Sequence, residues 1–186
     1  MSSHWAEREA YQIGKAKTLI EPAVASLGGI WADLGCGDGI FTAALHGLLH
    51  PDHQIYGVDK KNRALRALAR NFADSYPDAS LTTLNANFTH PLSLPLLDGI
   101  IMANSLHFTK KKEQPLIQIK RLLKPGGRLV IIEYNANRGN FAVPYPIDEF
   151  DFVALAQRVE LVEAQIVAKI PSSFLGEMYA GLAFVR

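Results

Sequence analysis

A run of three glycines at alternate positions, directly behind an aspartate, is the segment of this sequence best suited to chemistry. The segment reads WADLGCGDGIFT over residues 31–42, where Gly35, Gly37 and Gly39 follow Asp33. Glycine is costly to order and has no side chain, so it allows the backbone to approach a ligand closely. The amino terminus of a following helix would favour a negatively charged group. The run therefore predicts a ligand cradle, although a glycine-rich turn also serves simply to tighten a strand–helix connection.

Two aspartates narrow the choice of ligand. A dinucleotide-binding turn has the pattern G-x-G-x-x-G, whereas here Asp33 precedes glycines spaced two apart. A carboxylate aimed into the cradle would repel a pyrophosphate but would suit an ammonium group, directly or through water. Asp59 lies twenty residues after Gly39, at the end of a second strand-like segment, where it can accept hydrogen bonds from both hydroxyls of a ribose.

The elements that position these residues alternate between short apolar runs and longer helical patterns. Strands are predicted at 30–34, 54–59, 80–84, 98–104 and 127–135, and helices at 40–50, 62–76 and from about 110 to a close at Pro125 and Gly126. Pro115 fits best in the first turn of the last of these helices, which places the helix start after Lys110. The alternation indicates a parallel sheet covered by helices on both faces.

The end of the chain departs from this rhythm. Residues 146–159 have a helical pattern, but 160–170 and 176–186 are two strand-like runs separated only by the short loop PSSFL. Strands joined so closely are most simply antiparallel, because a parallel return requires a longer crossover. The sequence predicts a mostly parallel sheet that finishes in an antiparallel hairpin.

Composition sets the outer limits. The length of 186 residues and the hydrophobic fraction of 48% predict a single domain. The nearly balanced charge, with 19 basic and 18 acidic residues, argues against a protein whose main role is to bind a phosphate backbone. The single cysteine excludes a disulfide framework and a Cys-rich zinc site, and we expect no metal. The charged start does not have the pattern of a signal peptide, and no apolar run approaches the ~20 residues of a membrane span. We therefore expect a cytoplasmic protein with no membrane partner.

Five short segments occur in a characteristic order between residues 30 and 134. They are DLGCGDG (33–39), YGVDKK (56–61), NANF (85–88), DGIIMANSLHF (98–108) and LLKPGGRLVIIEY (122–134). Each is weak alone, but in this order and spacing they resemble the class I S-adenosylmethionine-dependent methyltransferases. The resemblance implies a Rossmann-like, doubly wound sheet of seven strands, mostly parallel, with a C-terminal antiparallel hairpin and helices on both faces.

The resemblance also implies the cofactor S-adenosyl-L-methionine, whose product is S-adenosyl-L-homocysteine, and a role for each matching residue. The methionine part would contact the backbone of Gly35, Cys36 and Gly37, with Asp33 and the carbonyl of Asn104 near its ammonium group. The adenosine part would contact Asp59 through its ribose and Lys60, Asn87 and Phe88 through its adenine. Many family members have aspartate at the position of Asn87; an amide oxygen can still accept from the adenine amine, so we expect affinity to change more than cofactor identity.

The methyl acceptor must be inferred from what surrounds the end of the fourth strand. Methyl transfer is an in-line displacement in which the cofactor carries the difficult chemistry and the protein aligns the nucleophile. Residues 104–108 read NSLHF, which lacks the Asn-Pro-Pro-aromatic segment of relatives that methylate amide or adenine nitrogens, and no Pro-Cys nucleophile is present. The resemblance that remains is to the small-molecule branch, including quinone-type methyltransferases. His107 is a candidate base, although a histidine there is often only a wall residue.

Two further segments are candidates for the acceptor site. The N-terminal helix, with Trp5, Tyr11 and Ile13, would cover the site as a lid or simply pack on the core. The loop over 133–150 is long, and its side chains have the mixture of aromatic and polar groups of a small-ligand pocket: Tyr134, Arg138 and Tyr145. The predicted organisation is a helical lid at 1–28, a cofactor-binding core at 29–135, and a substrate-side loop, helix and hairpin at 136–186.

Competing functions remain open at this point. An RNA methyltransferase would need a basic face. The sequence has one modest basic cluster, formed by KKK at 110–112 with Lys120, Arg121 and Lys124, so nucleic acid is disfavoured as a partner. A second alternative is a non-catalytic module that binds S-adenosylmethionine. A third alternative is a nicotinamide-dependent oxidoreductase, which the glycine spacing and Asp33 disfavour. Fold alone does not separate these functions. The best prediction is a methyltransferase for a small-molecule acceptor, either monomeric or a homodimer.

Overall fold

The described part of the chain folds around one seven-stranded sheet with five α-helices. The computed structural model describes residues 3–186, and their side chains from residue 9 onward. In chain order the elements are α1 Ser3–Val24, β1 Ile30–Leu34, α2 Ile40–His46, β2 Gln54–Asp59, α3 Asn62–Ser75, β3 Leu81–Asn85, β4 Leu97–Ala103, a 3-10 turn Leu106–Phe108, α4 Glu113–Lys120, β5 Leu123–Tyr134, α5 Glu149–Arg158, β6 Val162–Ser172 and β7 Gly176–Phe184. Within the described range, no helix combines the length and the apolar character that crossing a membrane requires.

The strand order is β3-β2-β1-β4-β5-β7-β6. The first five strands are parallel, and β7 inserts antiparallel between β5 and β6. This confirms the predicted fold class, including the antiparallel end of the sheet. The order reverses between β1 and β4, and in open α/β sheets ligands bind outside the carboxyl ends of the strands at such a switch point.

Alternate residues of the strands bury against helices on opposite faces of the sheet. Ala32 and Leu34 of β1 belong to the core cluster that includes α4 and α5, whereas Trp31 belongs to the cluster under α1 and α2. α3 adds a smaller cluster around Leu68 on the edge of the sheet. Gly99 of β4 leaves room for the Trp31 ring, because any side chain at that position would overlap it. Both faces of the sheet are therefore closed by apolar packing.

The predicted helix ends were wrong at two places. α2 ends at His46 rather than residue 50, because the chain turns after Gly47, where the N–H of Leu48 bonds to the carbonyl of Leu45 three residues back instead of four. α4 ends at Lys120 rather than at Pro125 and Gly126, because Leu123 already pairs with Leu97 and residues 123–127 form the irregular start of β5. Sheet pairing, which is a tertiary contact, overrides the local helical pattern here. Pro115 is the third residue of α4, in the first turn as predicted.

Candidate active site

The glycine run forms the connection between β1 and α2 at the switch point. Gly35, Gly37 and Gly39 have φ values of 85°, 57° and 102°, a left-handed conformation that side chains strain. A Cβ added at Gly35 would lie 2.5 Å from the Cβ of Ser105, so two adjacent connections touch there. The N–H of Gly35 also donates to the carbonyl of Val58 at 2.7 Å, which ties the loop to β2. The loop is thus held in one conformation by its neighbours on both sides.

Asp59, at the end of β2, holds two backbone groups around this loop. Its Oδ2 accepts the N–H of Gly37 at 3.1 Å, and its Oδ1 accepts the N–H of Lys61 at 2.7 Å, next to the start of α3. The carboxylate therefore positions the glycine loop in addition to facing the cavity described below. Each oxygen retains a second lone pair for a ligand hydroxyl.

Asp33 carries an unusual buried carboxyl group. The residue is only 1% exposed; Oδ2 accepts the hydroxyl of Thr42 at 2.6 Å, and Oδ1 has no hydrogen-bond partner among residues whose side chains the structure describes. Burial raises the pKa of Asp33 to about 7; the Thr42 hydrogen bond opposes this shift, and the charge of Asp59 adds to it. A buried oxygen without a partner is costly unless a ligand supplies one.

Asn104 follows β4 and presents a second unsatisfied oxygen. Its φ of 50° is left-handed, and its N–H donates to the carbonyl of Ile132 at 2.9 Å. The side-chain oxygen is buried and has no partner among the described residues. The sequence analysis predicted a role for the backbone carbonyl of Asn104. It missed the side-chain amide oxygen, because no local sequence pattern indicates that this atom is buried.

A cavity of about 400 Å³ opens beside these groups, and we call it the cofactor cavity because residues predicted to contact the cofactor line it. Its lining contains six of the nine residues predicted to contact the cofactor: Gly35, Asp59, Lys60, Asn87, Phe88 and Asn104. Of the other three, Asp33 and Cys36 are buried and Gly37 lies in the loop that borders the cavity. Burial also raises the pKa of the Cys36 thiol, which keeps it protonated and unreactive. The oxygen of Asn87 already accepts the N–H of Thr89 at 3.1 Å.

A second cavity of about 500 Å³ shares Asn104 with the first, and we call it the acceptor cleft because two residues predicted to contact the acceptor line it. Its walls come from α1, the start of α2, the end of β5 and the β6–β7 turn, and include Tyr11, Phe41, Tyr134 and Met178. Tyr11 and Tyr134, which the sequence analysis assigned to an acceptor site, thus line the same cavity, and their contact with an acceptor stays a prediction. The predicted Trp5 lies outside the residues whose side chains are described.

The structure does not bring the remaining predicted acceptor residues to this cleft. Arg138 is exposed and Tyr145 is 40% exposed, and neither lines the acceptor cleft or the cofactor cavity. Tyr145 instead faces the ammonium of Lys112, 6.0 Å from its ring centre. His107 is 2% exposed and also lines neither cavity; its Nδ1 lies 2.6 Å from Oε2 of the buried Glu133. Glu133 was missed, although an acidic residue in the apolar run LVIIEY was a usable signal.

A basic stripe was also missed. It comprises five exposed residues at the start and along the outer face of α3: Lys60, Lys61, Arg63, Arg66 and Arg70. None of the five forms an ion pair within the described part of the chain. Two of them, Lys60 and Lys61, line the cofactor cavity. The helical spacing of the three arginines was the signal that could have identified the stripe.

Comparison with known proteins places these features in context. Residues 32–129 match the family described as "Methyltransferase domain". A demethylmenaquinone methyltransferase of Symbiobacterium thermophilum is 32% identical over 103 residues, which cover 54% of this chain and 41% of that protein. An O-methyltransferase of Penicillium expansum is 28% identical over 140 residues, 73% of this chain and 46% of that protein. The matches thus span less than half the length of these relatives.

Solved structures share the fold at much lower sequence identity. A SAM-dependent methyltransferase from Aquifex aeolicus superposes with a TM-score of 0.70 at 16% identity, covering 95% of this chain and 98% of that one. At this identity the likeness concerns the fold alone, and it agrees with the seven-stranded sheet described above.

Proposed function

The chain belongs to the methyltransferase domain family, with the class I fold of S-adenosylmethionine-dependent enzymes, and on that premise we propose that it transfers a methyl group from S-adenosylmethionine to a small-molecule acceptor. The observation that carries this proposal is the meeting of two cavities at Asn104, one bordered by the predicted cofactor residues and the other by α1 and the β6–β7 turn. Two substrates that must meet in line require such adjoining sites.

The residues present fit the cofactor. The buried oxygens of Asp33 and Asn104 that have no partner among the described residues would accept hydrogen bonds from its ammonium group, because a buried acceptor without a partner is costly. Asp59 would bind the ribose with its remaining lone pairs, and Phe88 would contact the adenine. When bound, the cofactor supplies a methyl group on a positively charged sulfur, which is a strong electrophile. The chain would bind and orient it and exclude water.

The lining of the acceptor cleft favours a largely apolar acceptor with an aromatic ring. Phe41, Tyr134 and Met178 offer apolar and aromatic surface, while Gln12 and Lys15 of α1 offer polar groups at the opening. This is consistent with the quinone and O-methylated compounds implied by the names of the two relatives above. In this proposal α1 acts as the cover of the cleft, and Tyr11, 64% exposed, lies at its rim.

Calorimetric titration with S-adenosylhomocysteine, and with NAD for comparison, tests this function. We expect binding of the first and not of the second, followed by methylation of one or more compounds in a screen of phenols, quinols and aromatic amines with radiolabelled cofactor. Binding of NAD alone would overturn the proposal. Binding of S-adenosylhomocysteine without any turnover in the screen would favour the non-catalytic binding module.

Asp59→Ala is expected to weaken S-adenosylhomocysteine binding by roughly 1–3 kcal/mol, the range for losing buried hydrogen bonds. The effect has two sources, since the carboxylate would bind the ribose and also holds the N–H of Gly37 and Lys61. Calorimetry measures the affinity, and thermal unfolding checks that the variant folds. Asp78→Ala, which removes an exposed carboxylate from the loop before β3, is the matched control. Equal affinity in both variants would remove Asp59 from the site.

RNA is the second candidate acceptor, and the basic stripe along α3 is the observation that favours it. Three cations at the opening of the cofactor cavity, Lys60, Lys61 and Lys110, continue into the exposed arginines of α3. Of the six cations singled out in the sequence, Lys110 lines this cavity, whereas Lys120 pairs with Glu160 and Lys124 with Asp98. The cations of such a stripe would release the counterions that are condensed on the phosphate backbone of an RNA, so RNA binding would weaken steeply with salt.

Fluorescence anisotropy with a labelled RNA of about 20 nucleotides distinguishes the two acceptors. If RNA is the acceptor, the triple change Arg63→Gln, Arg66→Gln and Arg70→Gln should weaken binding at least tenfold and flatten its salt dependence by about three charges. The matched control changes three cations that already have carboxylate partners, Lys120, Lys124 and Arg158. Under the small-molecule proposal we expect no measurable RNA binding at about 150 mM salt for any of these proteins.

A further inference from the structure

The acceptor cleft contains one cation and no anion among the lining residues that the structure describes. The cation is Lys15 of α1, and the other lining side chains are apolar, aromatic, hydroxyl or amide groups. Lys15 forms no ion pair with any residue whose side chain the structure describes. Within this part of the chain its positive charge therefore has no counter-charge. A negatively charged group on a bound acceptor would supply one.

The position of Lys15 is set by α1 and by a neighbouring aromatic ring. Tyr11, Lys15 and Leu19 follow one another at intervals of four residues, and this face of α1 lines the cleft. The ammonium of Lys15 lies 4.7 Å from the ring centre of Tyr11, within the range of a cation–π interaction. Because Tyr11 lies at the rim, this contact holds the ammonium there. A lysine that is already partly ordered loses less side-chain entropy when it binds a ligand.

The remaining lining suits an aromatic ring with a polar substituent. Phe41 and Met178 contribute aromatic and apolar surface, while Ser172 and Ser173, where β6 ends and turns toward β7, contribute hydroxyl groups. The oxygen of Ser172 accepts the N–H of Phe174 at 3.2 Å, so its own proton is available to donate. Apolar walls, hydroxyl donors and one cation without a counter-charge together favour a ring that carries a negative charge over a neutral or cationic one.

We propose that Lys15 is a specificity-determining residue, which selects a methyl acceptor that carries a carboxylate on its aromatic part. The inference rests on the proposed methyltransferase function and adds the class of acceptor, an aromatic acid. A cavity of about 500 Å³ is within the size range of small-ligand sites, so one such molecule can contact both Lys15 and Asn104, which lines the cofactor cavity as well. The carboxylate takes no part in methyl transfer; its role is to bind and orient the acceptor.

Titration with paired ligands tests the inference without requiring turnover. Protein saturated with S-adenosylhomocysteine is titrated by calorimetry with protocatechuate and its carboxamide, and with p-coumarate and its carboxamide. We expect the carboxylate of at least one pair to bind the wild type about fivefold more tightly than its amide, the upper range for a single exposed ion pair. The preference should shrink between about 50 mM and about 300 mM salt, because a charge at the rim is screened.

Two substitutions at this position separate charge from packing. Lys15→Gln should remove the preference for the carboxylate and change the affinity for the amide less than twofold, whereas Lys15→Glu should make the carboxylate the weaker ligand of each pair. Both variants should fold and bind S-adenosylhomocysteine within twofold of the wild type, because Lys15 is exposed and both new residues are good helix formers. Lys17→Gln, which removes the same charge from α1 outside the lining of the cleft, is the matched control.

Several outcomes would overturn the inference. They are equal affinity for acid and amide in every pair, an undiminished preference in Lys15→Gln, or the same loss of preference in Lys17→Gln, which would indicate a general effect of protein charge. Methylation of neutral acceptors alone, by a protein that binds S-adenosylhomocysteine, would also overturn it while leaving the proposed function intact. Failure of the wild type itself to bind S-adenosylhomocysteine would instead defeat the proposed function.

Discussion

Asp33→Asn is expected to stabilise the ligand-free protein at pH 8 and, at the same time, to weaken S-adenosylhomocysteine binding at least 100-fold. The carboxyl of Asp33 is buried, and one of its oxygens has no partner within the described residues. At pH 8 it is ionised, because its pKa is raised to about 7. The neutral amide avoids this buried charge, but it cannot attract the ammonium group of a ligand. One substitution should therefore separate the stability of the fold from the function of the site.

The direction of the pH dependence follows from the two pKa values of this group. In the unfolded chain Asp33 ionises near its usual value, about 4, whereas in the folded protein it stays protonated up to about 7. Between these values the folded state holds more protons, so the free energy of unfolding falls as pH rises, by up to about 4 kcal/mol in total. An amide hydrogen left without a partner would cost roughly 1–3 kcal/mol, so the net gain in Asp33→Asn at pH 8 is about 1–3 kcal/mol.

Ligand affinity should show the opposite trend with pH. Because the ammonium group binds the ionised form of Asp33, the affinity of the wild type should drop about tenfold for each pH unit below about 7, while Asp33→Asn stays flat between pH 5.5 and 7. Denaturant unfolding and calorimetry across this range measure both quantities. Asp78→Asn, at an exposed position, serves as control. A variant that binds as tightly as the wild type at pH 8 would show that Asp33 does not contact the ligand.

Gly35→Ala is expected to abolish measurable S-adenosylhomocysteine binding, a loss of at least 100-fold. The φ of 85° is strained for alanine by roughly 1–2 kcal/mol, and the new Cβ would lie 2.5 Å from the Cβ of Ser105. Relieving that overlap moves either the glycine loop or the turn that carries Asn104, and both border the cofactor cavity. The substitution should therefore lower ligand affinity as well as the stability of the fold.

Two further variants isolate the overlap from the backbone strain. Gly126→Ala introduces the same kind of left-handed strain, φ 74°, at a site where the new Cβ meets no atom within 4 Å. It should cost only about 1–2 kcal/mol of stability and leave ligand affinity unchanged. Ser105→Gly combined with Gly35→Ala should restore part of the affinity, because it removes the atom in the way. If the double variant binds no better than Gly35→Ala, the overlap is not the cause.

The sequence by itself determined the parts of this protein that depend on local patterns. The glycine run after β1, the aspartate that ends β2 and the apolar runs of the parallel strands are encoded within a few residues of each other, so they predict the sheet and the side of it on which a ligand binds. The antiparallel end of the sheet could also be predicted from the sequence, because the five-residue loop PSSFL between two predicted strands is too short for a parallel crossover. The helix ends at His46 and Lys120 could not be predicted from the sequence, because turn geometry and strand pairing determine them.

Only the tertiary structure decided which distant side chains meet. Tyr11 and Tyr134 share a cleft because α1 packs beside the end of β5, whereas Arg138 and Tyr145, in the loop after Tyr134, do not reach it. The pairing of His107 with Glu133 joins residues 26 positions apart through two neighbouring strands, and no spacing in the sequence announces it. The oxygens of Asp33 and Asn104, which have no partner in the described part of the chain, are likewise visible only in three dimensions. Burial and hydrogen-bond satisfaction are properties of the packed chain, because they depend on every neighbour that the fold assembles around a group.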